Sequence, residues 1–406
     1  MEPLTFSLIA SASLLLSLRF GGLSDRKKIE KIFENTGAMV RGKDGSIKEI
    51  KFVKQKEITN GMEYVFRLPL GMPYKQLEKM NNNIGVFKDG LAKDVEFEQV
   101  GRMIHVSVYD TGLPKKWLYK DVIPELKEGS WAIPIGKTYK GLVWHDFDKI
   151  PHTVMGGTTR YGKTVGLKNI MTSLILSNPD DVEFYIIDLK KKLEFGKYEK
   201  LEQVTEVAGT PDEAMKMLLK LQKRYNKVMD HFRDTDVTNI TETGINKRIF
   251  VIVDEANRLV PQSNKDKTKI VCKQILEDIA CVTGGLGVRL IFCTQYPVGS
   301  TLPRDVKQNC DAKISFRLQS DTASQVVLGD GNTQAAHLKD IKGRCAVIQG
   351  PNLMEMQMPL ISDRVMSHLL QNWYQTKRKD VTPPGGDKGE QESRKGAIKL
   401  IETEDA

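Results

Sequence analysis

Gly157-Thr-Thr-Arg-Tyr-Gly-Lys-Thr164 carries glycine at its first and sixth positions and closes on Lys163-Thr164. It fits G-x-x-x-x-G-K-[ST] at every fixed position, the spacing of a loop that wraps nucleotide phosphates. The glycines let the backbone turn its N–H groups inward, where a side chain would block them. Lys163 can reach the β- and γ-phosphates, and the Thr164 hydroxyl can hold Mg²⁺. A helix starting near Lys163 adds its positive end to the anion site. The expected nucleotide-binding set is Gly157, Thr158, Thr159, Arg160, Tyr161, Gly162, Lys163, Thr164 and Val165. The plainer alternative is a glycine-bearing turn without chemistry. The flanks favour the loop: Ile150–Met155 is a short apolar strand pattern, and Val165–Ser177 has apolar residues at helical spacing.

About 90 residues on, Arg248-Ile-Phe-Val-Ile-Val-Asp254-Glu255 is a buried-strand run ending in two carboxylates. Asp254 is expected to hold Mg²⁺ through water, and Glu255 to orient or deprotonate the attacking water. A core strand followed by a solvated acidic turn is the competing reading.

These residues need a scaffold that brings strand ends together. From about residue 150 strand and helix patterns alternate. Val182–Asp188 is a strand ending in an acid, and Pro211–Arg233 a long amphipathic helix with Met215, Leu218, Leu219, Gln222 and Tyr225 on one side. Lys269–Thr283 is a helix stopped by Gly284-Gly285, and Val288–Thr294 and Lys313–Leu318 are further strands. The alternation predicts an α/β fold with a mainly parallel sheet flanked by helices, its phosphate loop at a strand's carboxyl end.

The part before it reads as a small α+β module over 24–133. Gly45–Val53 and Gly61–Leu68 are strand patterns, Pro73–Ile84 a short helix, and Val95–Val100 pairs with Arg102–Tyr109 around Gly101. Pro134-Ile-Gly-Lys-Thr and Gly141-Leu-Val-Trp begin the larger domain, 134–376. Residues 377–406 lose apolar periodicity and read as a disordered polar tail.

The chain has 406 residues and a net charge of +9, which favours an anionic partner. Its five cysteines form no C-x-x-C pair and read as reduced and buried, not as a disulfide or zinc framework. Residues 3–18 carry no charge and precede Arg19 and Arg26-Lys27-Lys28. As a helix this run spans about 24 Å, against about 30 Å for a bilayer core. Two readings of the 1–23 segment stay open: a membrane anchor with its basic flank toward the cytoplasm, or an apolar helix packed on protein.

From about Pro134 to Ile361 the chain resembles the FtsK/SpoIIIE motor domain, a ring-forming, RecA-like P-loop ATPase. The resemblance rests on Ile135-Gly-Lys137, Asp148-Lys-Ile-Pro-His152, Gly157-Thr-Thr159, Gly162-Lys-Thr-Val-Gly166 and Ile187-Asp188 with Lys190. Arg224-Tyr225, Asp254-Glu255, Thr294-Gln295 and Ile314-Ser-Phe-Arg-Leu318 complete it. The chain departs from the family pattern at Arg160-Tyr161, where small residues are usual, and at Leu189, where proline is usual. A winged-helix DNA-reading domain is not recognisable after the motor. The build is most similar to smaller plasmid and integrative-element members, including conjugative coupling proteins.

The resemblance implies ATP and Mg²⁺ at sites shared between subunits of a homo-hexamer, with Lys163, Thr164, Asp254 and Glu255 in the roles above. It implies that Gln295 senses the γ-phosphate and that Arg317 serves the neighbouring subunit's nucleotide, with Arg289, Arg304 and Arg344 as competitors. Asp188 and Lys190 would couple nucleotide to pore, with a surface salt bridge as the competing reading. The implied partner is DNA, held through its phosphates, with relaxase or transfer-apparatus proteins as further partners; the loops near Lys190–Lys192 and Asn264–Lys269 are the candidates for that contact, and a solvated charge run is the default reading of both. The implied location is a cytoplasmic motor, which the anchor reading of residues 3–23 would attach to the inner face of the cell membrane; that short run differs from the several membrane spans of the large family members. Two other functions stay open: a type VII secretion-like ATPase that moves proteins, and an ATP- and DNA-binding assembly or replication-control protein that does not translocate.

Overall fold

The computed structural model describes residues 23–41, 45–72, 84–295, 297–299, 301–350 and 352–374. The 1–23 helix (but for Leu23), the 377–406 tail and nearly all of the 73–84 helix lie outside these residues. Among the described residues no helix is long and apolar enough to cross a membrane. The chain forms two compact units, 1–113 and 114–406. The division falls twenty residues before the boundary expected at 133. The reason is that Trp117, Tyr119, Val122, Ile123 and Trp131 are buried in the core of the larger unit.

The smaller unit holds helix α1 (Asp25–Asn35), strands β1 (Met39–Arg41) and β2 (Ile47–Glu49), then β3 (Lys51–Ile58), β4 (Gly61–Arg67), helix α2 (Ile84–Leu91), β5 (Asp94–Val100) and β6 (Met103–Tyr109). Strands β3–β6 form an antiparallel sheet in the order β3-β4-β6-β5, with β5 and β6 joined at Gly101 as expected. Ile29, Ile32 and Phe33 of α1 and Phe87 of α2 pack with Phe66, Ile104 and Val106 in its core. The 45–53 stretch, expected as one strand, is two: β2 pairs with β1, and β3 pairs with β4.

The larger unit is built on one ten-stranded sheet. Its strands are β7 (Ala132–Thr138), β8 (Gly141–Asp146), β9 (Thr153–Gly156), β10 (Val182–Asp188), β11 (Val204–Ala208), β12 (Arg248–Asp254), β13 (Val288–Thr294), β14 (Ala312–Phe316), β15 (Arg344–Gln349) and β16 (Asn352–Gln357). The order is β11-β10-β12-β13-β9-β14-β15-β16-β7-β8. The six strands from β11 to β14 run parallel. The four from β15 to β8 extend the sheet antiparallel. The helices are α3 (Lys163–Ser177), α4 (Pro211–Asp234), α5 (Lys267–Val282), α6 (Arg304–Asn309), α7 (Asp321–Leu328) and α8 (Asp363–Leu369).

Burial on both faces explains the continuous apolar strands. In β10, Phe184 and Ile186 join the core under α3, while Tyr185 and Ile187 point to the opposite core under α4 and α5. Helix α3 lies inside the protein and is buried nearly all round. Helix α4 starts at a cap: Thr210 Oγ1 accepts the Glu213 N–H, Pro211 is the first residue, and Glu213 accepts the Gly209 N–H at 2.7 Å. Its buried stripe is Ala214, Met217, Leu218, Leu221 and Tyr225, and Leu219, expected on that stripe, is exposed. Of the five cysteines, expected to be buried, Cys281 is exposed.

Asp148, His152, Arg248 and Arg289 brace the end of the sheet where β12 and β13 begin. Asp148 takes Arg248 Nε at 2.8 Å and Arg289 Nη2 at 2.8 Å. His152 Nδ1 accepts the Leu290 N–H at 3.0 Å.

Candidate nucleotide site

Strand β9 ends at Gly156, and the phosphate loop runs from there into α3. Gly157 approaches β14 so closely that a Cβ would lie 2.7 Å from Phe316 Cβ. Gly162 has φ +117, in the region that favours glycine, and immediately precedes α3. No side chain caps α3 there, so its first amides face the loop's hollow. The loop is tethered at two points. The Thr158 N–H and hydroxyl both donate to the Arg317 carbonyl, at 3.2 and 2.7 Å. The Tyr161 carbonyl accepts the Gly343 N–H at 2.9 Å. Arg160 has φ +74, costly for a residue with a side chain.

The acidic pair arrives from β12. One strand, β13, separates β12 from β9, so the carboxylates meet Lys163 across the end of β13. Lys163 Nζ lies 2.5 Å from Asp254 Oδ1, and both side chains are buried. Burial works against the charge on Lys163, but Asp254 outweighs it and the lysine's pKa is raised. Glu255 sits just beyond the strand in the left-handed region, φ 66 and ψ 50. Asp254 Oδ2, Glu255 Oε2 and Thr294 Oγ1 are buried without a hydrogen-bond partner. Buried oxygens in that condition call for a cation or a polar ligand. With the Thr164 hydroxyl at the head of α3, they fit Mg²⁺ and a nucleotide triphosphate. Cys293, at the same end of β13, is held as a thiol because burial raises its pKa, with Lys163 opposing.

Gln295 is buried and follows Thr294, whose register partner is Gly156 at the start of the loop. The structure thus brings Gly157–Val165, Asp254, Glu255 and Gln295 to one end of the parallel sheet. Arg317 stands there as well. Its carbonyl holds Thr158, and its guanidinium lies 5.9 Å from the Tyr161 ring centroid and 3.9 Å from Asp340. Arg317 is therefore on the rim of its own chain's loop, with 36% of its side chain exposed. Arg289 and Arg344 are buried and engaged, Arg289 with Asp148 and Arg344 with Glu355 at 2.9 Å. Burial withdraws both as arginines offered to another subunit. Arg304 is exposed on α6.

Sequence reasoning missed the depth of Lys190. Its Nζ reaches 3.4 Å from Glu255 Oε2 and 3.9 Å from Asp254 Oδ2. Asp188 and Asp254 are register partners on adjacent parallel strands, and that pairing carries the residues after Asp188 to the acidic pair. Asp188, expected to couple nucleotide to pore, is fully buried and accepts the backbone N–H groups of Lys190, Glu194 and Phe195. Lys192, expected in a DNA-facing loop, is paired with Glu199 at 2.6 Å. In the second expected loop Lys269 pairs with Asp266, while Lys265 and Lys267 are exposed. A further unforeseen cluster ties α3 to α8: Asp363 takes Lys168 at 2.7 Å, Lys197, and the Tyr198 hydroxyl at 2.9 Å. Burial opposes ionisation of Asp363, but these donors hold its carboxyl at about 2.

A parallel sheet with a glycine-rich loop before a buried helix, and an acidic pair two strands away, defines a P-loop ATPase. The FtsK/SpoIIIE family model matches residues 126–337, just over half of the chain, and the chain belongs to that family. Among curated relatives, the DNA translocase FtsK of Leptospira interrogans is 29% identical over 220 residues, covering 50% of this chain and 23% of the relative. That of Lactiplantibacillus plantarum is 25% identical over 247 residues, covering 56% and 29%. The chain thus spans less than a third of the length of either relative. Among solved structures, the pCW3 conjugation coupling protein TcpA, in a monomer form with ATPγS, superposes with a TM-score of 0.59 at 23% identity. It covers 84% of this chain and 96% of that one. The cytoplasmic domain of the type VII secretion ATPase EccC of Thermomonospora curvata gives 0.53 at 18% identity, covering 64% and 33%.

Proposed function

We propose that this chain is an ATP-driven DNA translocase working in conjugative transfer or the handling of mobile-element DNA. It would act as a homo-hexameric ring with nucleotide at the subunit interfaces, in the cytoplasm and attached to the membrane through residues 3–23. The observation that carries this reading is the convergence of Lys163, Asp254 and Glu255 at one strand end in a chain of the FtsK/SpoIIIE family. The resemblance to a conjugation coupling protein over nearly the whole of that protein's chain supports the conjugative role.

In this reading the amides of residues 157–162 and the head of α3 bind the triphosphate, and Lys163 leaves Asp254 for its β- and γ-oxygens. Thr164 and Asp254 hold Mg²⁺, which supplies charge neutralisation on the transferring phosphoryl group when bound. Glu255 orients and deprotonates the attacking water. Gln295, at the end of the intervening strand, contacts the γ-phosphate. Arg317 or Arg304 reaches a neighbouring copy's nucleotide. DNA is held through its phosphates, a sequence-tolerant and salt-sensitive contact.

ATP hydrolysis titrated with double-stranded DNA, single-stranded DNA and no DNA, at two salt concentrations, tests the proposal. Strong stimulation by DNA that weakens at the higher salt is expected. Stimulation only by a secretion substrate would replace DNA with protein as the cargo. Negligible turnover under every condition would leave a binding or assembly protein.

A further inference from the structure

We propose that Lys190 is the positioning residue for Glu255, holding the water-activating carboxylate from the rim of the site. The proposal rests on reading Glu255 as the base of an ATP-hydrolysing site. Lys190, Lys191 and Lys192 follow strand β10 in succession, yet only Lys190 turns inward. Lys191 is exposed, and Lys192 is paired with Glu199. Lys190 keeps 24% of its side chain exposed while its Nζ stands 3.4 Å from Glu255 Oε2.

The backbone that delivers it is held in place. The buried Asp188 carboxylate accepts the N–H groups of Lys190 at 3.2 Å, Glu194 at 2.8 Å and Phe195 at 2.9 Å. Lys191 and Lys192 take φ +58 and +63, which folds the chain back after Lys190. Arg258, three residues past Glu255, donates to the Leu189 carbonyl at 2.9 Å. The segment carrying Lys190 and the turn carrying Glu255 are thereby tied together, so the distance between the two charges is set by structure.

Glu255 needs such a partner. Its backbone is in the left-handed region and its Oε2 is buried with no hydrogen bond. Lys163 makes its ion pair with Asp254 and acts on Glu255 only at longer range, whereas Lys190 makes an ion pair with Glu255. An anionic carboxylate buried without a neighbouring cation is costly. Lys190 offsets that cost and fixes which way the carboxylate points, while touching the base and not the reacting phosphate.

The test pairs Lys190→Ala and Lys190→Arg with Glu255→Gln and reads four quantities: kcat, KM, nucleotide affinity and the thermal midpoint. For Lys190→Ala we expect kcat to fall by about 10²-fold, the loss typical when a general base is misplaced, with KM and the affinity for a fluorescent ATPγS analogue changed less than about threefold. Lys190→Arg should restore kcat to within about tenfold. The thermal midpoint without nucleotide should fall by about 3 °C or more in Lys190→Ala, but hardly at all when the same change is made in Glu255→Gln, where the buried charge is gone. Wild-type turnover in Lys190→Ala would overturn the proposal. So would an equal thermal loss in both backgrounds, which would mark Lys190 as merely structural. If the wild-type chain fails to hydrolyse ATP, the functional reading falls, and the thermal cycle alone decides whether Lys190 holds Glu255.

Discussion

Lys163 and Asp254 share a buried ion pair, Nζ to Oδ1 at 2.5 Å, although the proposed function assigns one to phosphate and the other to metal. Under that proposal ligand binding would exchange partners: phosphate would take the lysine as Mg²⁺ takes the aspartate. Removing Lys163 would leave the buried Asp254 with the more distant Lys190, 3.9 Å from its Oδ2, as its neighbouring cation.

Lys163→Ala should abolish nucleotide binding and also destabilise the larger unit by about 3–5 kcal/mol, the range for breaking one side of a buried pair. Equilibrium binding of a fluorescent nucleotide and chemical denaturation read the two effects. Adding Asp254→Asn should recover part of the stability and none of the binding. Unchanged nucleotide affinity in Lys163→Ala would remove the loop from its role.

Arg317 on the rim of its own loop makes action across an interface a matter of assembly. Glu255→Gln should bind ATP and turn over about 10²–10⁴-fold more slowly. Arg317→Ala should cost about 10³–10⁵ if the guanidinium meets the transferring phosphate of a neighbour. Mixed rings of the two variants should then regain activity above that of either parent, measured as turnover against mixing ratio. A simple dilution curve would return Arg317 to its own chain's site and move attention to Arg304.

Acid sensitivity of the larger unit should begin well above the carboxylate range. Burial lowers His145 to about 4 and His152 to about 3, from the ordinary 6.5. Below pH 6.5 the unfolded chain binds protons on these rings and the folded chain does not. Stability is therefore full above pH 6.5 and falls toward pH 4, by about 1.4 kcal/mol per pH unit for each ring. Burial opposes ionisation of Asp148, but Arg248 and Arg289 outweigh it and lower its pKa, so its contribution is intact through this window and lost only on further acidification. Denaturation midpoints at pH 7.5, 6 and 5 measure the slope, and His145→Gln with His152→Gln should flatten it. A flat profile in the unaltered chain would contradict the burial of these rings.

The larger unit was legible in outline because parallel strands buried on both faces write themselves as apolar runs. Val182–Asp188 and Val288–Thr294 have the same ends in sequence and structure. The phosphate loop was legible for a different reason: its glycines answer backbone demands, as at Gly162 with φ +117, that leave few residue choices. The acidic pair was legible as the carboxyl end of a continuous apolar run. The join between the units was not, since Trp117, Tyr119 and Trp131 are anchors in a stretch without periodicity. Nor was the switch of partner between β2 and β3, because alternation records a strand's faces and not its neighbours. Lys190 was hidden for a related cause. Its place beside Glu255 follows from the registration of two strands more than sixty residues apart.

The two tethers of the phosphate loop, at the Arg317 carbonyl and the Gly343 amide, leave it little slack. A triphosphate meets a cup already shaped for it, so capture costs little ordering entropy. Any pull exerted by bound phosphates would pass directly to the end of β14 and the beginning of β15, so under the proposed function those strand ends would be the outlet for mechanical work.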